Sequence, residues 1–396
     1  MSQDQITISL GLPELRVLEY HDRGSHHEIW VEKIRAVIVC PECGTPKTDP
    51  TGEVRFRQVQ DLPICGRPVW LQLRQRRFLC AQGHRFWERF DTVALKQRQT
   101  RRFQQWLLCQ VRGSSIAEGV RRTGVGYRVL AWLVLKVRER RMASDQPWPR
   151  RIGIDEYSFR RGHHYDTVVV DLKGHDVFEV TQGRSAKGLT SLWEQHPGKK
   201  RIRQAVIDMS QTFFSALKAL GHRVVIAIDR FHVERHVFDA VDAVRLRLQR
   251  TASPSEQKRL KAHRGLLRQN GDALSEEDRQ SREMLLRDYP ELAQAVALAE
   301  RLHRWYDRFE DINRARGALA WWLGAVQRSD LPELIEAAQA LRHWFREILN
   351  SFGIFLTNGP VEGLIPKIKL VLRKAFGLPC FQHRRTRILF ECGPSP

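Results

Sequence analysis

Up to about residue 95, apolar positions alternate over short stretches, as at Ile34, Val37 and Val39 and again at Trp70, Leu71 and Leu73, with prolines and glycines between them. Alternation is the mark of half-buried strands, so this segment reads as a small β-rich module. From Thr100 to Arg141 the spacing becomes helical: Trp106, Leu107, Cys109 and Val111, then Ile116, Ala117 and Val120, then Leu130, Leu133, Val134 and Val137. Helices are predicted there, broken at Gly113 and Gly124.

The stretch SDQPWPR (144–150) holds two prolines and reads as a linker. After it come the strand-like runs RIGIDEY, YDTVVVDL and HDVFEVT, a helix from Ser185 to about His196, a strand in IRQAVID, a helix from Gln211 to about Leu220 and a strand in RVVIAID. That order indicates an α/β sheet. From Phe231 to about Phe352 the pattern is almost wholly helical, and after the loop SFGIFLTNGP a basic helix runs from about Pro360 to Phe376. The predicted division is therefore 1–95, 96–143, 151–230, 231–352 and 353–396.

The chain has 396 residues, 42% of them hydrophobic, which suffices for a sizeable core and excludes a disordered or collagen-like protein. Lys and Arg number 66 against 45 acidic residues, a net charge of +21 spread along the whole length. A folded protein with a basic face that meets a polyanion fits this best, with nucleic acid as the first partner. No run approaches ~18 apolar residues and the start MSQDQITISL lacks a signal core, so a cytosolic protein without a membrane partner is expected. The seven cysteines are an odd number, which favours metal ligands over disulfides.

Cys40-Pro-Glu-Cys43-Gly is a C-x-x-C knuckle, and Cys80 with His84 supplies a third sulfur and an imidazole. Four such ligands suit a closed, structural Zn²⁺ site. Cys65, in a Gly-Pro-rich turn, is an alternative to His84; Cys109, Cys380 and Cys392 have no partner at ligand spacing and read as buried residues. Further on, Ser114-Ser115 is a plausible cap for a short helix that ends at Gly124 before a longer one from Tyr127 to about Arg140. This is the layout of a DNA-reading helix-turn-helix, in which Arg128, Lys136 and Arg138 would meet DNA.

Asp155 in RIGIDE follows alternating isoleucines, and Asp208 ends the fourth strand in AVIDMS. Aspartates on the first and fourth strands are the layout of RNase H-like nucleases, where carboxylates bind Mg²⁺ or Mn²⁺. Glu362, in NGPVEG, is the third candidate; it opens a helix whose Ile365, Ile368, Leu372 and Ala375 can pack on the sheet while Lys367, Lys369, Arg373 and Lys374 face outward to DNA. Asp229 also ends a strand and, with His232 nearby, is an alternative second acid.

With CPECG, the helix-turn-helix, IDEYSFRRGHHYDTVVVDL, VIDMS, DRFHV and NGPVEGLIPKIKLVLRKAFG in hand, nearly the whole chain resembles the ISL-three family of insertion-sequence transposases. The resemblance implies a multidomain α/β protein: a small zinc-binding β module and a helix-turn-helix, then an RNase H-like catalytic domain with an all-helical insertion before its final Glu. It implies a DDE transposase with Asp155, Asp208 and Glu362 as the acids on Mg²⁺ or Mn²⁺, and Asp229 and His232 as an accessory D-x-x-H element. The partners implied are the element's terminal inverted repeats and target DNA, bound as a homodimer or higher assembly in a prokaryotic cytoplasm. A non-transposing RNase H-fold nuclease or a DNA-binding regulator are the alternatives. The chain departs from the family pattern at Cys80-x-x-x-His84, where a second Cys pair is expected, and at Pro366, which places Glu362 in a first turn or at a kink.

Overall fold

The structure is a computed structural model that describes residues 10–34, 37–94, 97–143, 147–160, 162, 164–309, 311–354, 359–376 and 378–394; the side chains of residues 138, 140–143, 197, 353 and 354 also lie outside the description. The chain divides into two compact units, 1–136 and 137–396.

The first unit holds β1 (Leu15–Asp22), β2 (His27–Lys33), β3 (Thr48–Ile64), β4 (Arg67–Cys80) and β5 (Arg85–Trp87) in one sheet of order β1-β2-β4-β3, with β5 added to β4. Alternation in β4 sends Val69, Leu71 and Leu73 inward against Ile29, Val31 and Val59, while Trp70 lies on the opposite face, half-buried. The earlier alternation does not make a strand. Ile34, Val37 and Val39 are exposed: β2 ends at Lys33, residues 35–36 lie outside the described residues, and 37–39 belong to no strand, with only single contacts from Ile34 N to Glu14 O and from Thr48 Oγ1 to Ile38 O.

Three helices follow, α1 (Arg101–Val111), α2 (Ile116–Thr123) and α3 (Tyr127–Ala143). The Thr100 and Ser115 hydroxyls accept from the N–H groups of Phe103 and Glu118 and so cap α1 and α2. Gly124, at φ 68°, ends α2 in the left-handed conformation that glycine adopts without penalty. Gly119 has a different purpose. A Cβ there would meet Val111 Cγ2 at 2.8 Å and Leu130 Cδ1 at 3.2 Å, so its bare backbone lets α2 pack closely on α1 and α3. Cys109, expected to be buried, is exposed, since the inward face of α1 is carried by Phe103, Leu107 and Val111.

The second unit is built on β6 (Arg151–Arg160), β7 (His164–Asp171), β8 (Asp176–Gln182), α4 (Ala186–Gln195), β9 (Gln204–Ile207), α5 (Gln211–Lys218) and β10 (Val225–Ile228). The sheet order is β10-β9-β6-β7-β8, with β6, β7 and β8 antiparallel and β6, β9 and β10 parallel. Ile152, Ile154, Val169, Ala205, Ile207, Ile226 and Ile228 form the core on one face; Tyr157, Val168, Val170, Val206 and Ala227 line the other.

The helical insertion comprises α6 (Arg230–Thr251), α7 (Pro254–Ala262), α8 (Arg264–Leu267), α9 (Glu276–Asp288), α10 (Pro290–Arg308), α11 (Ile312–Gln327), α12 (Pro332–His343) and α13 (Phe345–Ile354). Here α6 packs on α10 and α12, and α13 docks on β10, where Asn350 Nδ2 donates to Ile226 O at 2.7 Å. The second face of the sheet is covered by α14 (Gly359–Lys374) and α15 (Phe381–Cys392). Val361, Leu364, Ile368, Val371 and Leu372 are the buried residues of α14. Ile365 is half-buried and packs against this core as expected, Leu364 and Val371 add to the inward face, Ala375 is half-buried, and Lys367, Lys369, Arg373 and Lys374 are exposed as expected. Cys380 is exposed and Cys392 buried.

Candidate active site

Strand register gathers the aspartates. Gly153 of β6 pairs with Val206 of β9, and Val206 with Ala227 of β10. Two residues further along each chain, and hence on the same face, stand Asp155, Asp208 and Asp229. The ladder extends to that row, because Asp229 N donates to Ile207 O at 2.9 Å. The face in question is the one that α14 covers, and Glu362 lies in the first turn of that helix. His232 sits in the first turn of α6 with Nδ1 2.8 Å from Asp229 Oδ2.

These groups feel one another. Burial pushes the Asp155 carboxyl up and Asp229 adds to the rise, opposed by the Glu156 N–H, His232 and Lys369. Burial pushes Asp208 up to about 6, with Asp155 and Glu156 raising it further and His232 opposing. Glu362, exposed at the start of α14, is raised by partial desolvation and by Asp229 and Asp155, with His232 opposing. His232 is raised by its hydrogen bond to Asp229 and then by Asp155 and Asp208. Carboxylates crowded in this way favour a cation among them.

One atom separates the two rival aspartates. Asp208 Oδ1 is buried without a hydrogen-bond partner among the described residues, whereas Asp229 is engaged by His232. An orphaned carboxylate oxygen on a repulsive, all-oxygen cluster fits a hard divalent ion such as Mg²⁺ or Mn²⁺.

In the first unit the β3–β4 hairpin brings the two halves of the cysteine motif together, since Thr48 pairs with Cys80 directly after the knuckle. Ligand atoms of Cys40, Cys43, Cys80 and His84 all lie within 4.8 Å of one another. Cys43 and Cys80 sulfurs are 3.8 Å apart, and His84 Nδ1 is 3.8 Å from Cys40 Sγ and 3.4 Å from Cys80 Sγ. A tetrahedron with Zn–S bonds of about 2.3 Å has edges of about 3.8 Å, so the set fits zinc. Glu42, inside the knuckle, places Oε2 3.7 Å from His84 Nε2, a carboxylate behind the imidazole that sequence reading missed. Cys65 is excluded as a ligand: it lies exposed in the turn at the far end of the hairpin.

On α3, Leu130, Leu133 and Val134 are buried while Tyr127, Arg128, Val129, Trp132 and Leu135 are exposed. Arg128, Val129 and Trp132 form one wall of an open groove of about 950 Å³ whose other wall carries Arg57, Gln58, Gln60 and Trp70 of the sheet and Arg98 and Gln99. Lys136 is half-buried with Nζ 5.9 Å above the Trp132 ring, and the side chain of Arg138 lies outside the described residues. Arginines, glutamines and tryptophans around one groove suit phosphates and base edges together.

Residues 36–83 match the zinc-finger family of the IS204/IS1001/IS1096/IS1165 transposases, and residues 152–388 match the transposase family of the ISL3 (ISL-three) type. The chain is 29% identical to the transposase for insertion sequence element IS1001 of Bordetella parapertussis over 367 residues, which cover 90% of this chain and 89% of that one. It is 28% identical to the transposase for IS1557 of Mycobacterium tuberculosis over 255 residues, 58% of this chain and 56% of the relative. No helix among the described residues is long and apolar enough to cross a membrane. A zinc-ribbon module, an RNase H-like sheet and a helical insertion ahead of the Glu-bearing helix are thus joined in one chain, which belongs to the ISL3 family of DDE transposases.

Proposed function

We propose that Asp155, Asp208 and Glu362 are the catalytic acids of a Mg²⁺- or Mn²⁺-dependent reaction that cuts the ends of an insertion sequence and joins them to target DNA. The single observation that carries this reading is the row of aspartates on adjacent parallel strands, with one buried, unpartnered oxygen on Asp208, facing the helix that bears Glu362. When bound, the ions would supply Lewis-acid charge to the attacking oxygen and to the leaving 3′-oxygen. Asp155, on the central strand of the sheet, would hold the ions together with Asp208 and Glu362. Asp229 is a positioning residue: it orients His232 and keeps it protonated beside the acids, where it faces the scissile phosphate. Lys367, Lys369, Arg373 and Lys374 hold the DNA backbone along α14.

The zinc module and the helices through α3 bind the element ends, with Arg128, Lys136 and Arg138 among the contacts. In this reading residues 1–95, 96–143, 151–230, 231–352 and 353–396 act as zinc module, helix-turn-helix, first part of the catalytic core, insertion and final core segment. An element has two ends to be cut together, which favours a dimer or higher assembly on the nucleoid DNA. The test is cleavage of end DNA by the full chain with Mg²⁺, Mn²⁺ or neither. Cleavage that is independent of divalent ions, or intact after substitution of all three acids, overturns the assignment.

A further inference from the structure

Beside the acids, β6 and α14 continue into a second feature. Ser158, Phe159 and Arg160 lie three to five residues beyond Asp155, and Lys369 and Arg373 lie two to three turns beyond Glu362. Between them is an open pocket of about 840 Å³. At ~3.3 Å per strand residue and ~1.5 Å per helix residue, its near wall is roughly 10 Å from the acids. Lys369 joins the two places, because its charge acts on Asp155.

The pocket's buried wall is internally paired and its rim is cationic. Arg384 is buried, paired to Asp166 with Nε 2.8 Å from Oδ2, and lies 3.6 Å from the Phe159 ring centroid. Its Nη1 also donates to Leu378 O at 3.0 Å and Pro379 O at 2.7 Å, which fixes the turn behind α14. Arg384 is therefore spent on the fold. Arg160, Lys369 and Arg373 on the rim have no carboxylate partner among the described residues. At the mouth, Phe376 is 89% exposed and held at φ 57°, a conformation that a bulky side chain adopts only when its surroundings impose it. A bare ring at φ 57° beside three cations that hold no salt bridge among the described residues is suited to stack on a base next to a phosphate.

We infer that this pocket receives one unpaired nucleotide of the DNA strand that runs past the acids, its base against Phe376 and its phosphates on Arg160, Lys369 and Arg373. A pocket of this size encloses a single small molecule and not a duplex. The inference rests on the transposase reading above and adds a specific demand to it: DNA next to the cut must come apart.

The experiment compares full-length parent, Phe376→Ala and Phe376→Trp on end duplexes that are fully paired or carry one mismatch at successive positions beside the cut. Phe376→Ala is expected to slow cleavage of paired DNA by about 5- to 150-fold, the range for loss of one stacked base. A mismatch at the right position supplies the unpairing in advance and should bring it back to within about threefold of the parent, and Phe376→Trp should stay near the parent on both substrates. Phe376→Ala that cuts paired DNA like the parent, or that is equally impaired on every mismatched duplex, overturns the inference. A parent that cuts neither substrate overturns the transposase reading, and the pocket with it.

Discussion

The zinc-ligand set and the carboxylate set, to which the proposal above assigns different cations, are built in opposite ways. Cys40, Cys43, Cys80 and His84 come from two short turns at one end of a single hairpin, and their ligand atoms already form a closed shell. The acids come from β6, from the ends of β9 and β10, and from α14, and among the described residues their oxygens do not close into such a shell. Softness and geometry account for the difference. Thiolates and an imidazole surrounding one ion complete its coordination and leave no position for substrate, which makes the site structural. Spread carboxylates, raised in pKa by desolvation and mutual repulsion, form an open set that, on the proposed reading, would leave positions on its ions for water and phosphate oxygens.

The largest effect should come from the closed site. Structural zinc contributes on the order of 10–16 kcal/mol in small modules, as much as the whole net stability of a typical domain. Cys40→Ser with Cys80→Ser should reduce the zinc content from one ion per chain to none and unfold residues 10–94, as read by metal analysis and limited proteolysis. Mn²⁺ binding at the acids should survive. A zinc-free double variant that keeps a protected sheet would show that the shell is decorative.

Next come the acids themselves. Asp155→Ala, Asp208→Ala or Glu362→Ala should each lower cleavage about a thousandfold or more, with end binding retained, since each removes a ligand from an ion that shares its charge with the scissile phosphate. Asp229→Ala sharpens the comparison. It frees His232 but leaves the orphaned oxygen of Asp208 in place, so a loss of roughly ten- to a hundredfold is expected. If Asp229→Ala is the more damaging of the two, the second acid is Asp229.

That choice shows where sequence reading ends. The C-x-x-C knuckle is legible because its ligands are local, and the α/β order is legible because strands and helices have different periods. Asp208 and Asp229 end strands in the same way and stand in the same row, and only the unpartnered Asp208 Oδ1 and the His232 contact on Asp229 set them apart. Glu42 behind His84 and the bare backbone of Gly119 were invisible for a related reason, because each matters through what another segment brings against it. The alternation at Ile34, Val37 and Val39 misled because periodicity does not report whether a partner strand exists.

A smaller effect is expected at the groove of the first unit. Arg128 is exposed on its α3 wall, opposite the sheet's Arg57 and Gln60. If Arg128 reads a base edge, Arg128→Ala should weaken end binding by about 1–3 kcal/mol and relax specificity at one position; if it meets a phosphate, binding should fall on all sequences and the salt slope should drop by about one. Titrations of specific and scrambled duplexes at several salt concentrations distinguish the two. No change in either would remove α3 from the interface.

The smallest effect concerns what the open site costs the fold. The Asp208 carboxyl is raised from 3.8 to about 6. The unfolded chain therefore gives up this proton at lower pH than the folded one does. Below about pH 4 both states are protonated and the residue is neutral to stability; between about 4 and 6 the penalty grows, and above 6 it is fully present. Asp208→Asn removes the charge while keeping the shape. In metal-free protein at pH 8 it should stabilise the second unit by about 1–2 kcal/mol, once solvent screening is allowed for, or a few degrees in Tm. At pH 3, below both pKa values, the gain should vanish. Excess Mn²⁺ should reverse the ranking, because the parent binds the ion in its folded state and gains stability by mass action while the variant does not. A metal-free Asp208→Asn protein no more stable than the parent at pH 8 would mean that the buried oxygen is not under strain, and would remove the electrostatic contrast between the two sites.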